Sequence, residues 1–403
     1  MPSFTSLVDQ MAADPDDSAI DRVVRQSAES GVSDAEIAHL AVRLAQSGSI
    51  LEAGTYGARA DIASTGGPSS LSTLVCPLFL RAAGYTVPKL GVPGRPAGGV
   101  DALAQVPGYR IDLSTDEVRD VLVKAGYAHF LALTHFAPLD GRMFARRKDA
   151  GLIAIPALVI ASIMAKKIAV GVQHAGLDVR VAPHGSFGST WDEARGNAQR
   201  FCRCARILGM RAVCFLTDGS MPYQPFIGRG ESLLALLLIM DGRASPHIEA
   251  HVDECDSMAR GLTPVASYSP VERRELRHHF ELNLSAQGAT FEAFRRYSLH
   301  VQDAHDTVIR ALDDGYLDVD MGLLRDAIVK RQRFLATDSI PFPDPCGVIM
   351  QKSAGEYVRK GEPVATVRTS SGERTTFAAE VITAFRGTSE PRSRRPMEDI
   401  ADA

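Results

Sequence analysis

A polar, glycine-bearing segment at residues 61–73, DIASTGGPSSLST, has the residue types of an anion-binding turn. Its paired glycines let the backbone bend and approach a ligand closely, and its hydroxyl groups can donate hydrogen bonds. An apolar stretch through Phe79 follows directly and predicts a helix, whose first N–H groups also attract anions. The same pattern is typical of a plain strand-to-helix turn capped by a serine, so the segment alone leaves both interpretations open.

The composition limits the classes of partner. The chain has 403 residues, of which 45% are hydrophobic, enough for two or three globular domains. Its net charge of −4 gives no general attraction to nucleic acid or to acidic membranes, so an anion must be held locally. The longest apolar run, residues 151–165, is too short to span a bilayer. We expect no nucleic-acid partner, no membrane segment and, because residues 1–18 lack the pattern of a signal peptide, a cytoplasmic protein.

The cysteine spacing argues against a metal site. Six cysteines are scattered along the chain, and only Cys202 and Cys204 are close together, without the second pair that a zinc site usually has. We therefore expect free thiols and no bound metal.

The apolar pattern predicts the elements that position the turn. Short apolar runs alternate with helical segments after residue 60, which favours parallel βαβ units. The predicted strands include residues 86–90, 109–113, 130–134, 178–182 and 211–217. The predicted helical segments include residues 18–46, as two helices, 141–172 and 270–335. The polar tail, residues 389–403, favours disorder.

Five segments together resemble the thymidine and pyrimidine-nucleoside phosphorylases. They occur in the family's order and cover most of residues 61–370: DIASTGG (61–67), VPGYRIDLS (106–114), APLD (137–140) ahead of Arg147, ASIMAKK (161–167) and GEYVRKGEPVATV (355–367). Their order over this length is far more specific than any one motif. It favours the anion-binding interpretation of the turn.

The resemblance implies an α/β fold with a small all-helical domain, a larger α/β domain with a mostly parallel sheet, and a small C-terminal α+β appendage. An active cleft is expected between the first two. The domains are then residues 1–58 and 141–172 (helical), 59–140 and 173–335 (α/β) and 336–388 (appendage). The resemblance also implies a homodimer built through the helical domain and a nucleoside as the small-molecule partner. No cofactor is implied, with inorganic phosphate as a possible co-substrate.

The resemblance assigns a base-binding group. In the family an arginine, a serine and a lysine grip the base, and these positions are Arg147, Ser162 and Lys166 here. Ser162 and Lys166 are four residues apart on one predicted helix, so both can face the cleft. Cationic donors aimed at the base carbonyls stabilise the negative charge of a leaving pyrimidine. We expect Arg147, Lys166 and His184, which lies in the loop near the sugar, to be catalytic; a solvated basic helix end is the alternative for Lys166.

The phosphate side departs from the family pattern. The family motif is Lys-His-Ser-Thr-Gly-Gly, and Ile62 and Ala63 stand at its lysine and histidine positions. Hydroxyl and backbone donors remain without the charge that usually holds a dianion. A relocated cation could come from Arg95, on a loop restrained by glycine and proline, or from Lys89. The predicted anion-binding residues are Ser64, Thr65, Gly66, Thr73 and Arg95.

Other residues rank lower as candidates. His135 could supply the missing imidazole, and Tyr223 and Phe226 are predicted to pack or to cover the cleft. The carboxylates expected at the surface are Asp140, Asp149 and Glu193.

The leading hypothesis is a pentosyltransferase that acts on the N-glycosidic bond of a pyrimidine nucleoside, by phosphorolysis or by a variant with an altered phosphate site. One alternative is a phosphate-independent nucleoside hydrolase or base-exchange enzyme. Another is a noncatalytic nucleoside-binding paralogue, favoured by the loss of the lysine and the histidine. A phosphoribosyltransferase is a weaker option, because the base-site residues match the phosphorylases better.

Overall fold

The computed structural model describes residues 2–52, 57–94, 96–132, 135–183, 185–264, 268–369 and 373–401. The helices in these ranges are α1 (Phe4–Ala13), α2 (Asp17–Glu29), α3 (Asp34–Ala45), α4 (Ser72–Ala82), α5 (Val100–Leu103), α6 (Thr115–Ala125), α7 (Pro138–Asp149), α8 (Pro156–Ala169), α9 (Trp191–Ile207), α10 (Arg229–Met240), α11 (Pro246–Leu262), α12 (Arg273–Ala286), α13 (Phe291–Asp303), α14 (Met321–Leu335) and α15 (Arg374–Ile382). The strands are β1 (Ala60–Ser64), β2 (Val87–Gly91), β3 (Tyr127–Leu131), β4 (His174–Val181), β5 (Arg211–Asp218), β6 (Phe226–Ile227), β7 (Thr307–Arg310), β8 (Gly315–Val319), β9 (Cys346–Met350), β10 (Tyr357–Val358), β11 (Pro363–Thr369), β12 (Phe385–Thr388) and β13 (Glu398–Ala401). This arrangement confirms the predicted α/β class.

The sheet that carries the glycine-bearing turn has the strand order β1-β4-β5-β13. β1, β4 and β5 are parallel, and β13 joins the edge of β5 in the antiparallel direction. β4 is buried over almost its whole length, although its sequence HAGLDVRV includes the charged residues Asp178 and Arg180. Because parallel strands end at the same edge, the residues after β1, β4 and β5 meet on one side of the sheet.

A helical layer packs beside this sheet. Its core is formed by α1, α2, α3, α7 and α8, with fully buried residues such as Val8, Ile20, Leu44 and Met164. Ser33 and Glu36 form a capping box at the start of α3. The sequence predicted two helices in this region, and the structure adds α1, whose apolar face covers α2 and α3. No helix within the described ranges is long and apolar enough to cross a membrane.

The C-terminal unit begins earlier than predicted. β7 and β8 lie inside residues 270–335, which were expected to be helical, and they pair with β10, β11 and β12. One apolar cluster joins Ile309 and Leu317 to Val348, Val367 and Phe385, so the predicted boundary after residue 335 divides a single packed group. The two strands are short and half-exposed, and so their alternation is weak in the sequence.

Two further predictions from the sequence were wrong. Residues 109–113 form no strand: the segment is held by separate bonds, from the Arg110 N–H to the Gln287 carbonyl and from the Leu131 N–H to the Ile111 carbonyl. The tail at residues 389–403 was predicted to be disordered, yet β13 lies in it and pairs with Val213–Leu216 of β5. A free edge of β5 offers unpaired N–H and C=O groups, and β13 satisfies them.

Candidate active site

The glycine-bearing turn joins the end of β1 to the start of α4. Gly66 and Gly67 have φ angles of 88° and 139°, a region that residues with side chains rarely adopt, so both positions require glycine. The Ser64 hydroxyl accepts a hydrogen bond of 3.2 Å from the Gly66 N–H. The N-cap of α4 is Leu71 rather than a serine, and its N–H donates to Nε2 of His251 at 2.9 Å. The alternative interpretation of the segment, a turn in which a serine caps the helix, does not apply here.

Arg180, at the end of β4, fixes the conformation of this turn. Its guanidinium is buried and donates to the Gly67 carbonyl at 2.9 Å and to the Ser72 hydroxyl at 3.2 Å. Its Nε donates to Asp178 at 3.1 Å. The backbone N–H of Arg180 donates to the Thr65 hydroxyl at 3.0 Å. These side-chain contacts use three of the five N–H donors of the guanidinium.

A small cavity opens beside Arg180 at the carboxyl edge of β1, β4 and β5. Its lining residues are Gly66, Gly67, Pro68, Arg180, Ala182, Gly185, Gly219 and Tyr223. The Tyr223 ring lies 5.7 Å from the guanidinium carbon of Arg180, and its hydroxyl is 2.8 Å from that of Thr217. This edge is where ligands bind in open α/β sheets.

Three buried charged side chains meet at Asp61 of β1. Lys89 Nζ donates to Asp61 Oδ1 at 2.8 Å and to the Ile62 carbonyl at 2.6 Å, while Lys167 pairs with Asp61 Oδ2. Burial acts to raise the pKa of Asp61, but the two ammonium groups hold it at about 2. Burial lowers the pKa of Lys167, and the nearby Asp61 opposes that change. The group contains two potential cations and one anion.

The predicted base-binding serine and lysine lie together on α8. Lys166 Nζ donates to the Ser162 hydroxyl and to the Ser162 carbonyl, both at 2.9 Å, and pairs with Oδ2 of Asp140 on α7. Asp140 is 4% exposed, so the expectation of a surface carboxylate was wrong. Its Oδ1 is buried without a hydrogen-bond partner in the described part of the chain. Side chains of α7 and α8 thus form one compact polar group.

Comparisons with known proteins identify relatives that match most of this chain. It is 25% identical over 353 residues to a pyrimidine-nucleoside phosphorylase of Geobacillus stearothermophilus, with 84% of this chain and 81% of the relative covered. It is 26% identical over 395 residues to a thymidine phosphorylase of Sinorhizobium medicae, with 91% and 87% covered. No family model matches the chain. The chain is thus similar to the thymidine and pyrimidine-nucleoside phosphorylases over most of its length, at about a quarter of identical residues.

A solved structure supports the fold. Anthranilate phosphoribosyltransferase from Thermus thermophilus is similar with a TM-score of 0.53, at 15% sequence identity, over 73% of this chain and 93% of that chain. At this identity the likeness concerns the fold alone.

The turn departs from the phosphorylase motif at two positions. Ile62, at the position of the family lysine, is 1% exposed and packs in the apolar core beneath α4. Ala63, at the histidine position, packs against the neighbouring core. The predicted anion-binding residues Ser64, Thr65 and Gly66 do meet in the turn, and Thr73 lies in the first turn of α4.

Two residues predicted to act in the phosphorylase site, Arg95 and His184, lie outside the described residues. The loop before Arg95 is held by Asp101, whose Oδ1 accepts the N–H groups of Gly94 at 2.9 Å and of Gly98 at 3.0 Å. Asp101 is itself paired with the buried Arg229 at 2.7 Å. A carboxylate of the chain thus occupies two backbone donors of the loop on which a relocated cation was predicted.

Arg147 is placed differently from the serine and the lysine of the base site. It is 2% exposed and donates to the carbonyls of Leu152 at 3.4 Å, of Leu158 at 3.5 Å and of Ile153. Burial lowers its pKa to about 10, and Asp140 opposes that change. In this arrangement Arg147 ties the end of α7 to the start of α8, and its contact with a base stays a prediction.

Sequence reasoning missed two members of the site. Arg180 has no special spacing in the sequence and stands in the middle of the predicted strand at residues 178–182, whereas the observed β4 ends just after it, at Val181. Asp140 stands in the segment APLD that carried the resemblance, and its buried ion pair is with Lys166, which lies 26 residues later in the chain. His135, the candidate for the missing imidazole, is exposed. No group of three or more His, Cys, Asp or Glu side chains in the described ranges could hold a metal ion.

Proposed function

We propose that this chain is a pentosyltransferase that cleaves the N-glycosidic bond of a pyrimidine nucleoside, with phosphate as the acceptor of the pentose. The observation that carries the proposal is the buried group of Ser162, Lys166 and Asp140 on α7 and α8. Support comes from the similarity to pyrimidine-nucleoside and thymidine phosphorylases over more than four fifths of the chain.

The chemistry of the reaction explains the need for this group. A phosphate oxygen forms a bond to C1′ of the pentose, the bond between C1′ and the base nitrogen breaks, and its electron pair passes to the base. The charge then spreads onto the pyrimidine carbonyl oxygens. Lys166 is a cation held in a buried site, where its attraction to that charge is stronger than in water. The resulting stabilisation lowers the barrier to bond breaking.

Ser162 has a matching role in the proposal. Its hydroxyl oxygen accepts a hydrogen bond from Lys166 Nζ, so its own hydrogen can be donated to a base oxygen. Donation from Lys166 also polarises the hydroxyl and strengthens that hydrogen bond. Asp140 on α7 holds the Lys166 ammonium group in place before the reaction. No further free energy is then needed to orient that group in the transition state.

We propose that phosphate, which accepts the pentose, binds at the glycine-bearing turn. Ser64, Thr65 and Gly66 lie there with Arg180 beside them, and the cavity between β1, β4 and β5 opens at this point. Backbone N–H groups, hydroxyls and a guanidinium are the donors that phosphate sites use.

The test is the release of free base from uridine, thymidine and cytidine, measured by chromatography. The assay is run without phosphate and with about 10 mM phosphate, a concentration above typical KM values. We expect release that requires phosphate and yields an equal amount of pentose 1-phosphate. Release of base that is unchanged when phosphate is omitted would instead establish a hydrolase or a base-exchange enzyme.

A noncatalytic nucleoside-binding protein is the second candidate, because the family lysine and histidine are replaced by Ile62 and Ala63. It predicts that nucleosides raise the melting temperature while no base is released under any condition. Absence of both release and binding would refute the two candidates together.

A further inference from the structure

Lys89, Lys167 and Asp61 form a buried group whose charges do not balance. Their relative exposures are 4%, 2% and 1%, so water screens none of them well. Both ammonium groups pair with the one carboxylate, Lys89 through Oδ1 and Lys167 through Oδ2. With all three groups ionised the net charge is +1, and in the described part of the chain no second carboxylate pairs with either lysine.

A buried excess charge has a high free energy unless an opposite charge comes near it. The neighbouring charged groups do not supply one. Lys166, next along α8, is neutralised by its own partner Asp140. His129, which lies across from Lys89 in the β2–β3 register, is held neutral because burial and the adjacent ammonium groups lower its pKa well below its usual value. Neither Lys166 nor His129 therefore offsets the excess positive charge of Lys89, Lys167 and Asp61.

The excess charge lies directly under the glycine-bearing turn. Lys89 Nζ is 2.6 Å from the carbonyl oxygen of Ile62, and Ser64 is only two residues further along β1. Two residues of a strand span about 7 Å, so the ammonium group lies within about 10 Å of the hydroxyl and N–H donors of the turn. A low-dielectric interior carries its field over that distance.

We propose that Lys89 supplies, from beneath β1, the positive charge for a phosphate dianion bound in the turn at Ser64, Thr65 and Gly66. The inference rests on the proposed function in that phosphate is the ligand of the turn. Ile62 has turned into the core at the family lysine position, and Lys89 restores the charge from the adjacent strand without touching the ligand. Lys89 is thus a residue that tunes the affinity of the site through its field.

The structure offers a clean variant for the test. Lys89→Met removes the excess charge and leaves the pair between Lys167 and Asp61, so the buried group becomes neutral rather than unpaired. Lys148→Met is the matched control, because Lys148 is exposed at the end of α7. Phosphate affinity is measured without nucleoside, by the rise of the melting temperature with phosphate at constant ionic strength.

We expect Lys89→Met to weaken phosphate binding about ten-fold or more, as Coulomb's law predicts for one charge at this distance, and Lys148→Met to leave it unchanged. The same loss should appear in the KM for phosphate, with the KM for nucleoside little altered. If Lys89→Met does not fold, Lys89→Gln makes the same comparison, because its amide can still donate to Asp61 without carrying charge.

The outcomes separate this inference from the proposed function. Wild-type affinity for phosphate in a folded Lys89 variant would overturn the inference, and so would a wild-type protein that binds no phosphate. Phosphate binding that depends on Lys89, in a protein that releases no base, would support the inference while refuting the proposed phosphorolysis.

Discussion

Lys166 donates to one carboxylate, one hydroxyl and one backbone carbonyl, and these three contacts use all the N–H donors of its ammonium group. Asp140 orients the ammonium group, but its negative charge also opposes the field that Lys166 exerts on a base. Ser162 adds a neutral donor at the same place. A base bound here must therefore accept a hydrogen bond from the Ser162 hydroxyl, or replace one of the groups that now accept from Lys166.

We predict that Lys166→Met lowers kcat/KM for base release by about 100-fold or more, because it removes the cation that stabilises the negative charge on the leaving base. It also leaves Asp140 buried without a partner, which should cost about 3–5 kcal/mol of unfolding free energy. Denaturant unfolding and kinetic assays measure the two effects separately.

A double variant separates stability from chemistry. Lys166→Met combined with Asp140→Asn should recover much of the lost stability, since no buried charge remains, but none of the activity. Lys148→Met, at an exposed position on α7, should change neither quantity. Activity that returns in the double variant would show that Lys166 acts only through folding.

At the scale of elements, the tail that ends in β13 is integrated into the sheet. Arg395 lies over the ring of Trp191 at 3.9 Å, and its N–H donates to Asp218 at 3.1 Å. Arg394 stacks on Tyr223 at 4.5 Å and pairs with Glu254. The tail thus contacts the carboxyl edge of β5, beside the cavity of the candidate site.

Removal of residues 391–403 should therefore expose both the edge of β5 and the indole of Trp191. Trp191 is the one tryptophan in the sequence, so the emission spectrum reports on this contact alone. We expect a shift of the emission to longer wavelength and a lower melting temperature, whereas Arg395→Met, which keeps β13, should shift the emission without a large loss of stability. A truncated protein with the full-length spectrum and melting temperature would contradict the placement of the tail.

The elements that the sequence predicted well are those whose signals are local. The capping boxes of Ser33 with Glu36 and of Ser114 with Glu117 each involve residues three apart, and both are present. The turn at Gly66 and Gly67 is likewise set by its own backbone conformation. β13 was not predicted, because its partner in β5 lies almost 200 residues earlier in the chain. The polar sequence of the tail gives no sign of such a pairing.

The same limit applies to the candidate site. Ser162 and Lys166 could be placed on one face from their spacing alone, and the structure agrees. Arg180 and Asp140 act through contacts between elements that are distant in the chain, such as Arg180 with Gly67. Lys89 was considered as a cation for the cleft, but only the structure shows that Asp61 and Lys167 are buried with it.

At the scale of the whole molecule, several histidines are buried in neutral form, and this couples stability to pH. The pKa is lowered by burial to about 3 at His251 and to about 4 at His279, and well below its usual value at His129. Nε2 of His251 accepts the Leu71 N–H, so its proton is on Nδ1, which faces Glu254 at 3.1 Å. Protonation of Nε2 would break the bond that holds the start of α4.

The direction of the pH dependence follows from these shifts. In the unfolded chain a histidine binds a proton below pH 6.5, its usual pKa, whereas the folded His251 stays neutral down to about pH 3. Folding stability should therefore be fully present above pH 6.5 and fall progressively as the pH drops toward 3. Each such histidine contributes at most about 1.4 kcal/mol per pH unit in this window.

Substitution at one of these positions should flatten the curve. His251→Gln removes a titrating group while its amide oxygen can still accept from Leu71, so we expect lower stability at pH 7.5 but a smaller loss between pH 6.5 and 4 than in the wild type. Burial is the main cause that lowers the pKa of His251, and Arg394, Asp178 and Arg180 act on it as charged neighbours. His300→Gln, at an exposed position, serves as the control and should keep the wild-type slope. Urea unfolding across this pH range decides the matter, since equal slopes in wild type and His251→Gln would mean that the imidazole at the start of α4 is protonated without loss of the fold.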